Sequence, residues 1–406
     1  MRVSMRILVV QETDWIDRNP ILHHRMLEAL SIAGDEITVL DHEILWGRRG
    51  LLPLWQRRQV WADVSKVLTG SRITVLRPAM LRIPGIARVS WLLTTWWELA
   101  RYIRAGKPDV IVAYGLSNAF VALLYARKHR IPFVFHLFDS LHALAEPKAL
   151  RPIAALVEGQ LLRSADQVVI PYRALAGYVA RIGVRPGRVR LIPHGMTRRH
   201  VEPANREALR SEFGISKDDV VLLFVGWLYR HSGLMELALE LSTNKPEYSR
   251  FKVIIVGDGD LSSTLEEIRS ANGLEDRLIL TGRRPVEEMA DFIAASDVCL
   301  LPSLPSDATR YIVPTKVDEY LELGRPVVAT SLEGLRSEYL DVAGIIWVDH
   351  PTQVLPRLAQ LLSGPRPPGE VLADLSRACA SYAATRDDWE TVTRRFRAVL
   401  TNTSPR

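Results

Sequence analysis

Cysteine is nearly absent from this 406-residue chain: Cys299 and Cys379 stand far apart, each in apolar surroundings. Two such thiols exclude a disulfide framework and a four-ligand metal cage, and they point to a reducing compartment. Long hydrophobic runs are also missing. The nearest approach to one, Val89 to Ile103, is broken by Glu98 and Arg101 and falls short of the roughly 18 apolar residues that a bilayer span requires. The opening MRVSMRILVV, followed at once by Gln11, Glu12 and Asp14, has too short an apolar stretch and no small-residue site for a cleaved leader. A cytoplasmic location is the expectation. No repeat of fixed period, low-complexity run or paired-aspartate metal motif stands out, and no side chain is marked as an enzymic nucleophile.

What is present is globular: 48% hydrophobic and 24% charged residues, enough at roughly 150 residues per domain for two or three cores. Short β-branched runs alternate with helix-period stretches, the pattern of an α/β chain with parallel sheets and crossover helices. Strands are expected at Arg6–Val10, Glu36–Leu40, Ile73–Leu76, Asp109–Ala113, Pro132–His136 and Gln167–Pro171 in the first half. In the second half they fall at Val220–Gly226, Lys252–Val256, Arg277–Leu280, Val298–Leu301, Pro326–Ala329 and Ile345–Val348. A polar stretch from Arg198 to Asp219, interrupted by Pro203, suits a domain boundary. The expected division is 1–196 and 197–380, both Rossmann-like, with 381–406 a terminal helix for which either domain, the first included, offers a packing surface. That helix carries an apolar stripe of Trp389, Val392, Phe396, Val399 and Leu400 at helical spacing.

Three segments of the second half carry chemistry. Val221–Leu234, VLLFVGWLYRHSGL, reads as a buried strand ending at Gly226, a loop, and a helix start near Gly233. Such a junction points backbone N–H groups and a helix dipole toward the place of a phosphate, although an ordinary βα turn has the same form. The run Val256-Gly257-Asp258-Gly259-Asp260 has only two glycines and reads as a turn. In VPTKVDEYLELGRPVV, from Val313 to Val328, Pro314 and Thr315 suit a helix start and Gly324 its C-terminal cap. An anion there would meet the Thr315 and Lys316 amides and the Lys316 ammonium. Glu319, one turn further in, would accept from sugar hydroxyls.

These motifs, with LTG followed by VEEM, the LLPS run, and the hinge-like Leu191-Ile192-Pro193-His194-Gly195-Met196, resemble the retaining glycosyltransferases of family 4. The resemblance implies a GT-B fold of two Rossmann-like domains facing each other across a cleft. It implies a base held near Gly282–Val286, a diphosphate on the loop from Gly226 and at Thr315 and Lys316, and ribose hydroxyls on Glu319. The family's catalytic-face histidine would be His136, at the end of the strand in FVFHLFD, with Asp139 orienting it or touching sugar. Three places depart from the family pattern. Trp227 and Ser232 stand where two basic residues usually grip the diphosphate, which leaves Arg230 and His231 to supply that charge. Tyr311 replaces the first carboxylate of a two-glutamate motif whose second member is Glu319. The glycine pair after the first strand is replaced by Asp17-Arg18-Asn19-Pro20, where Arg18 or Asn19 would meet an acceptor or simply open a helix.

The net charge of +6 is concentrated: residues 41–107 hold twelve Lys/Arg against four Asp/Glu, and the remainder is slightly acidic. Six of the ten tryptophans, Trp46, Trp55, Trp61, Trp91, Trp96 and Trp97, lie there among Arg48, Arg49, Arg57, Arg58, Arg72, Arg77, Arg82 and Arg88. Indole and guanidinium together suit an anionic headgroup layer. A solvated basic face with some tryptophan in the core is the plainer alternative, and no nucleic-acid module accompanies the patch. The expectation is a metal-independent transferase with no cofactor beyond its substrate, a UDP- or GDP-linked sugar. Its acceptor would be a glycan or polyprenyl-lipid-linked molecule at an anionic membrane on the inner face of the cell. Nucleic acid is not an expected partner. A GT-B nucleotide-sugar epimerase, or a binding subunit that has lost activity, are the alternatives.

Overall fold

The computed structural model describes residues 4–17, 20, 22–43, 53–83, 86–145, 147–197, 201–307 and 309–405. In chain order the strands of the first half are β1 (Arg6–Val10), β2 (Glu36–Leu40), β3 (Trp55–Gln56), β4 (Gln59–Val64), β5 (Ile73–Arg77), β6 (Met80–Leu81), β7 (Val110–Ala113), β8 (Phe133–His136), β9 (Gln167–Ile170) and β10 (Val189–Leu191). Eight of these form a sheet in the order β10-β9-β8-β7-β1-β2-β5-β4, parallel except for the edge pair β5/β4. The second half contributes β11 (Val220–Val225), β12 (Phe251–Val256), β13 (Leu278–Gly282), β14 (Val298–Leu301), β15 (Val327–Thr330) and β16 (Ile345–Val348). They make an all-parallel six-stranded sheet ordered β13-β12-β11-β14-β15-β16. Central strands such as β11 (VVLLFV) are apolar on both faces, as a parallel sheet covered by helices on both sides demands.

The twelve strands expected from sequence are all present, within a residue or two at their ends. Four were not expected. β4 is a largely exposed edge strand, β10 has three residues, and β3 and β6 form a two-residue antiparallel pair.

Two compact units result, residues 1–195 with 389–406, and residues 196–388. The helix Pro368–Ala384 belongs to the second unit, and the terminal helix Trp389–Thr401 returns to the first. There Val392, Phe396 and Leu400 enter the core formed with helix α1 (Leu22–Ile32) and the inner faces of β1, β2, β5 and β7. Helices α2 (Ala87–Ala105), α3 (Ser117–His129) and α4 (Arg151–Ser164) cross in the opposite sense along the sheet and so cover its other face. Among the described residues, no helix is long and apolar enough to cross a membrane.

Candidate functional site

In α/β sheets ligands gather at the carboxyl ends of the strands. In the second unit that edge is kept open by glycine. Gly226, Gly257 and Gly282 end β11, β12 and β13 at φ of 138°, 146° and 67°. They are linked edgewise: the Gly226 amide donates to the Val256 carbonyl and the Gly257 amide to the Gly282 carbonyl, both at 2.9 Å. A side chain on Gly257 would meet the Gly226 carbonyl at 1.9 Å. The neighbouring Gly259 lies against the backbone of Leu228, whose N–H donates to the Asp258 carbonyl. This second turn therefore buttresses the 226–233 loop.

That loop differs from a basic phosphate grip. Trp227, Tyr229 and Arg230 are exposed, and Tyr229 stacks on His231 with ring centroids 4.9 Å apart. Burial lowers the pKa of His231 against the pull of Asp260. Ser232 is buried, its hydroxyl donating to the Tyr229 carbonyl at 2.7 Å. Positive charge reaches the Gly226 turn from elsewhere. The helix Lys316–Glu322 is stitched to the end of β11, where Val225 has no partner in β14. Lys316 Nζ donates to the Val225 carbonyl at 2.7 Å, and the Val225 amide donates to the Tyr320 hydroxyl at 3.2 Å. The ammonium lies 3.9 Å from the centroid of the Phe224 ring and 3.0 Å from where a Gly226 Cβ would stand. Desolvation draws Lys316 down to about 7, partly opposed by Glu319. Thr315 and Glu319 are exposed on the same short helix, so Gly226, Thr315, Lys316 and Glu319 belong to one local arrangement. Sequence spacing marked Lys316 as a residue at a helix start; its reach to β11 could not be read from spacing. Tyr311 is half-buried beneath the Arg310 guanidinium, which is paired with Glu333 at 2.6 Å.

In the first unit His136 closes β8 and is buried. Its Nδ1 lies 3.2 Å from the Tyr114 hydroxyl, its ring stacks on Phe138 at 4.4 Å, and its Nε2 is buried without a hydrogen-bond partner. Burial, reinforced by His194, holds it down to about 3, so this imidazole is neutral at physiological pH. Asp139 is half-buried and raised to about 7 by desolvation. Orientation of His136 by Asp139, one of the two roles expected from sequence, is not what the geometry has. Tyr114, the first residue past β7, takes that place because adjacent parallel strands bring their carboxyl ends together. The signal available beforehand was only that Tyr114 follows an apolar strand.

The basic segment needs a larger correction. Arg77 is 4% exposed and pairs with Asp41 at 2.7 Å and Asp14 at 2.6 Å; desolvation nevertheless keeps Asp41 raised to about 6. Arg58 pairs with Glu98, Arg82 with Glu43 and Arg88 with Glu12. Trp91 is in the core and Trp61 packs against it under Arg77. Half of the arginines read as a patch are thus matched by carboxylates: Asp14, Asp41, Glu43 and Glu12 in the segments that follow β1 and β2, and Glu98 on helix α2. Arg18, Asn19, Trp46, Arg48 and Arg49 lie outside the described residues. Among the described residues, no group of His, Cys, Asp and Glu is arranged to hold a metal ion.

Comparison with known proteins gives two consecutive matches. Residues 24–195 match the glycosyl transferase 4-like domain, and residues 219–363 match glycosyl transferases group 1. A putative teichuronic acid biosynthesis glycosyltransferase, TuaC of Bacillus subtilis, is 32% identical over 330 residues, covering 78% of each chain. D-inositol 3-phosphate glycosyltransferase 2 of Catenulispora acidiphila is 29% identical over 300 residues, 69% of this chain and 67% of that one. The crystal structure of Anabaena HepE in complex with UDP-glucose superimposes with a TM-score of 0.72 at 18% identity, covering 98% of this chain and 99% of that one.

Proposed function

Because this chain belongs to glycosyltransferase family 4 and has its GT-B fold, we propose that it moves a sugar, with retention, from a UDP- or GDP-linked donor to a glycan or polyprenyl-lipid-linked acceptor at the cytoplasmic membrane face. The observation that carries the donor half is the Lys316 ammonium beside the Gly226 turn. It restores the positive charge that Trp227 and Ser232 take away. The donor diphosphate then lies over Gly226, between Lys316, the Thr315 amide and His231. The ribose hydroxyls meet Glu319, and the base meets the backbone at Gly282. HepE, bound to UDP-glucose, supports the uridine donor as the first to try.

Breaking the glycosidic bond puts new charge on the departing diphosphate. Groups aimed at that charge lower the barrier more than they strengthen ground-state binding. We assign this part to Lys316 and to Arg230, whose exposed side chain is available to a ligand. On the acceptor side we assign His136 a place beside the acceptor sugar, its ring fixed by Tyr114 and its Nε2 buried without a hydrogen-bond partner. Asp139 contacts the acceptor sugar directly.

The test begins with a screen of UDP- and GDP-sugars for thermal stabilisation, since a ligand that binds only the native state raises its stability by mass action. Release of nucleoside diphosphate is then followed with and without membrane lipid extract. Acceptor-dependent release supports transfer. Interconversion of the donor alone would indicate the epimerase, and binding without turnover the inactive subunit, the reading that Trp227, Ser232 and Tyr311 would favour.

A further inference from the structure

The face of the first sheet covered by α2, α3 and α4 has an unusual exterior. Val89, Leu93 and Trp97 on α2, Leu124 on α3, and Ile153 and Leu156 on α4 all point outward, with exposures from 45% at Leu124 to 72% at Leu156. Helix-period spacing accounts for the line: 89, 93 and 97 share one stripe of α2, as 153 and 156 share one of α4. The helices are neighbours, with Trp96 against Tyr125 (centroids 4.7 Å apart) joining α2 to α3. A contiguous apolar surface across three helices is uncommon on a monomer and marks a contact site.

The charges of the same layer identify the partner. The three helices carry only two carboxylates, Glu98 and Glu158, and both are buried and occupied. Glu98 binds Arg58, and Glu158 binds the Leu141 and His142 amides and the His142 ring. The exposed charges are Arg88, Arg101, Arg104, Lys128 and Arg163, all positive, with Arg88 paired to Glu12 and Arg101 3.7 Å from Glu98. Each helix runs from the carboxyl edge of the sheet to its amino edge; the apolar side chains extend from the first turns of α2 and α4 to the middle of α2 and α3, with Arg88 at the start of α2 and Arg101, Arg104, Lys128 and Arg163 beyond them. An apolar belt bordered by cations, with no exposed carboxylate on these helices, complements an anionic lipid surface: indole and aliphatic groups enter the acyl boundary while arginine and lysine meet phosphate.

We infer that the α2–α3–α4 face is the membrane-docking surface of this protein, seated on anionic phospholipid with its apolar belt next to the carboxyl edge that holds His136. Leu144, 50% exposed in the loop that follows His136 and Asp139, continues the apolar surface toward that edge. This inference rests on the proposed acceptor class, and it leaves Trp55, Arg57 and Arg72 of the basic segment outside the contact.

The test is co-sedimentation of the full chain with phosphatidylcholine vesicles, with and without phosphatidylglycerol. The parent should bind only the anionic vesicles. The triple variant Leu93→Ser, Trp97→Ser, Leu156→Ser should lose on the order of a hundredfold in partitioning, and Arg101→Glu with Arg104→Glu and Lys128→Glu should release the protein at low salt. Trp55→Ser with Arg57→Glu and Arg72→Glu should bind like the parent. UDP-glucose affinity and melting temperature, unchanged in all, certify folding; were the serine variant unfolded, the charge-reversal variant decides. Vesicle binding that survives both helix variants, or is lost in the Trp55 variant instead, overturns the assignment. So does a parent that dimerises through this face and ignores vesicles. Failure of the parent to bind any nucleotide sugar would refute the transferase reading and leave the vesicle result standing.

Discussion

The protonation of Lys316 gives a quantitative handle on the donor site. Desolvation holds its ammonium down to about 7, and a diphosphate placed at Gly226 would return it toward the ordinary lysine value of about 10.4. A ligand that binds the protonated form more tightly raises that pKa on binding. Affinity is therefore full below the free value and is lost as pH rises through it. UDP-glucose, whose diphosphate is a diester and does not titrate in this range, should bind with constant affinity below pH of about 7 and lose up to about tenfold per unit above it. Binding should take up about half a proton near pH 7 and about nine-tenths near pH 8, as the free group empties and the bound one stays filled. Calorimetry in buffers of different ionisation enthalpy measures that uptake directly. Lys316→Arg supplies a guanidinium that stays charged, so it should bind at all pH values without proton uptake. Lys316→Met should bind weakly and flatly. A slope that persists in Lys316→Met would assign the titration to His231 or another group, and a flat parent would refute the contact between Lys316 and the diphosphate.

Three further outcomes follow from the same geometry. Arg77→Met leaves Asp14 and Asp41 buried together without their cation and should cost about 3–5 kcal/mol in urea unfolding; the loss should shrink toward pH 5, where protonation relieves Asp41. Gly233→Ala forces a Cβ to within 1.8 Å of the Pro302 carbonyl at a φ of 72° and should destabilise by about 2 kcal/mol or more, read as a lowered melting temperature. In the pH–rate profile at saturating donor, Asp139→Asn should abolish an ionisation near 7. His136→Gln should lower turnover without shifting that ionisation, because His136 stays neutral throughout.

Most of the fold was legible because buried parallel strands such as VVLLFV must be apolar on both faces, and the chain punctuates them with glycine and proline. β4 escaped because an edge strand is free to carry Gln59, Trp61 and Asp63 with little burial, so its composition resembles a loop. Its bulge, with Asp63 at a φ of 53°, breaks the alternation as well. The donor-site residues could be placed on a turn and a helix, but the bond from Lys316 to Val225 spans 91 positions and leaves no mark in either segment. The same limit explains the basic segment. Arg58, Arg77, Arg82 and Arg88 look like surplus charge along the chain until folding brings Glu98, Asp41, Glu43 and Glu12 to them.

The return of the last helix to the first unit has a consequence for how the molecule is made. Residues 196–388 form a continuous unit inserted within a discontinuous one. During synthesis the second unit can therefore close before the first, reversing the usual N-terminal-first order. Until Val392, Phe396 and Leu400 emerge, the layer over β1, β2 and β7 has only α1 to cover it, and Trp15, Met26 and their neighbours lie beneath an incomplete roof. A chain cut after Asp388 would keep the whole of the second unit yet expose apolar surface on the first, making it prone to aggregate in the cell while the second unit stays folded.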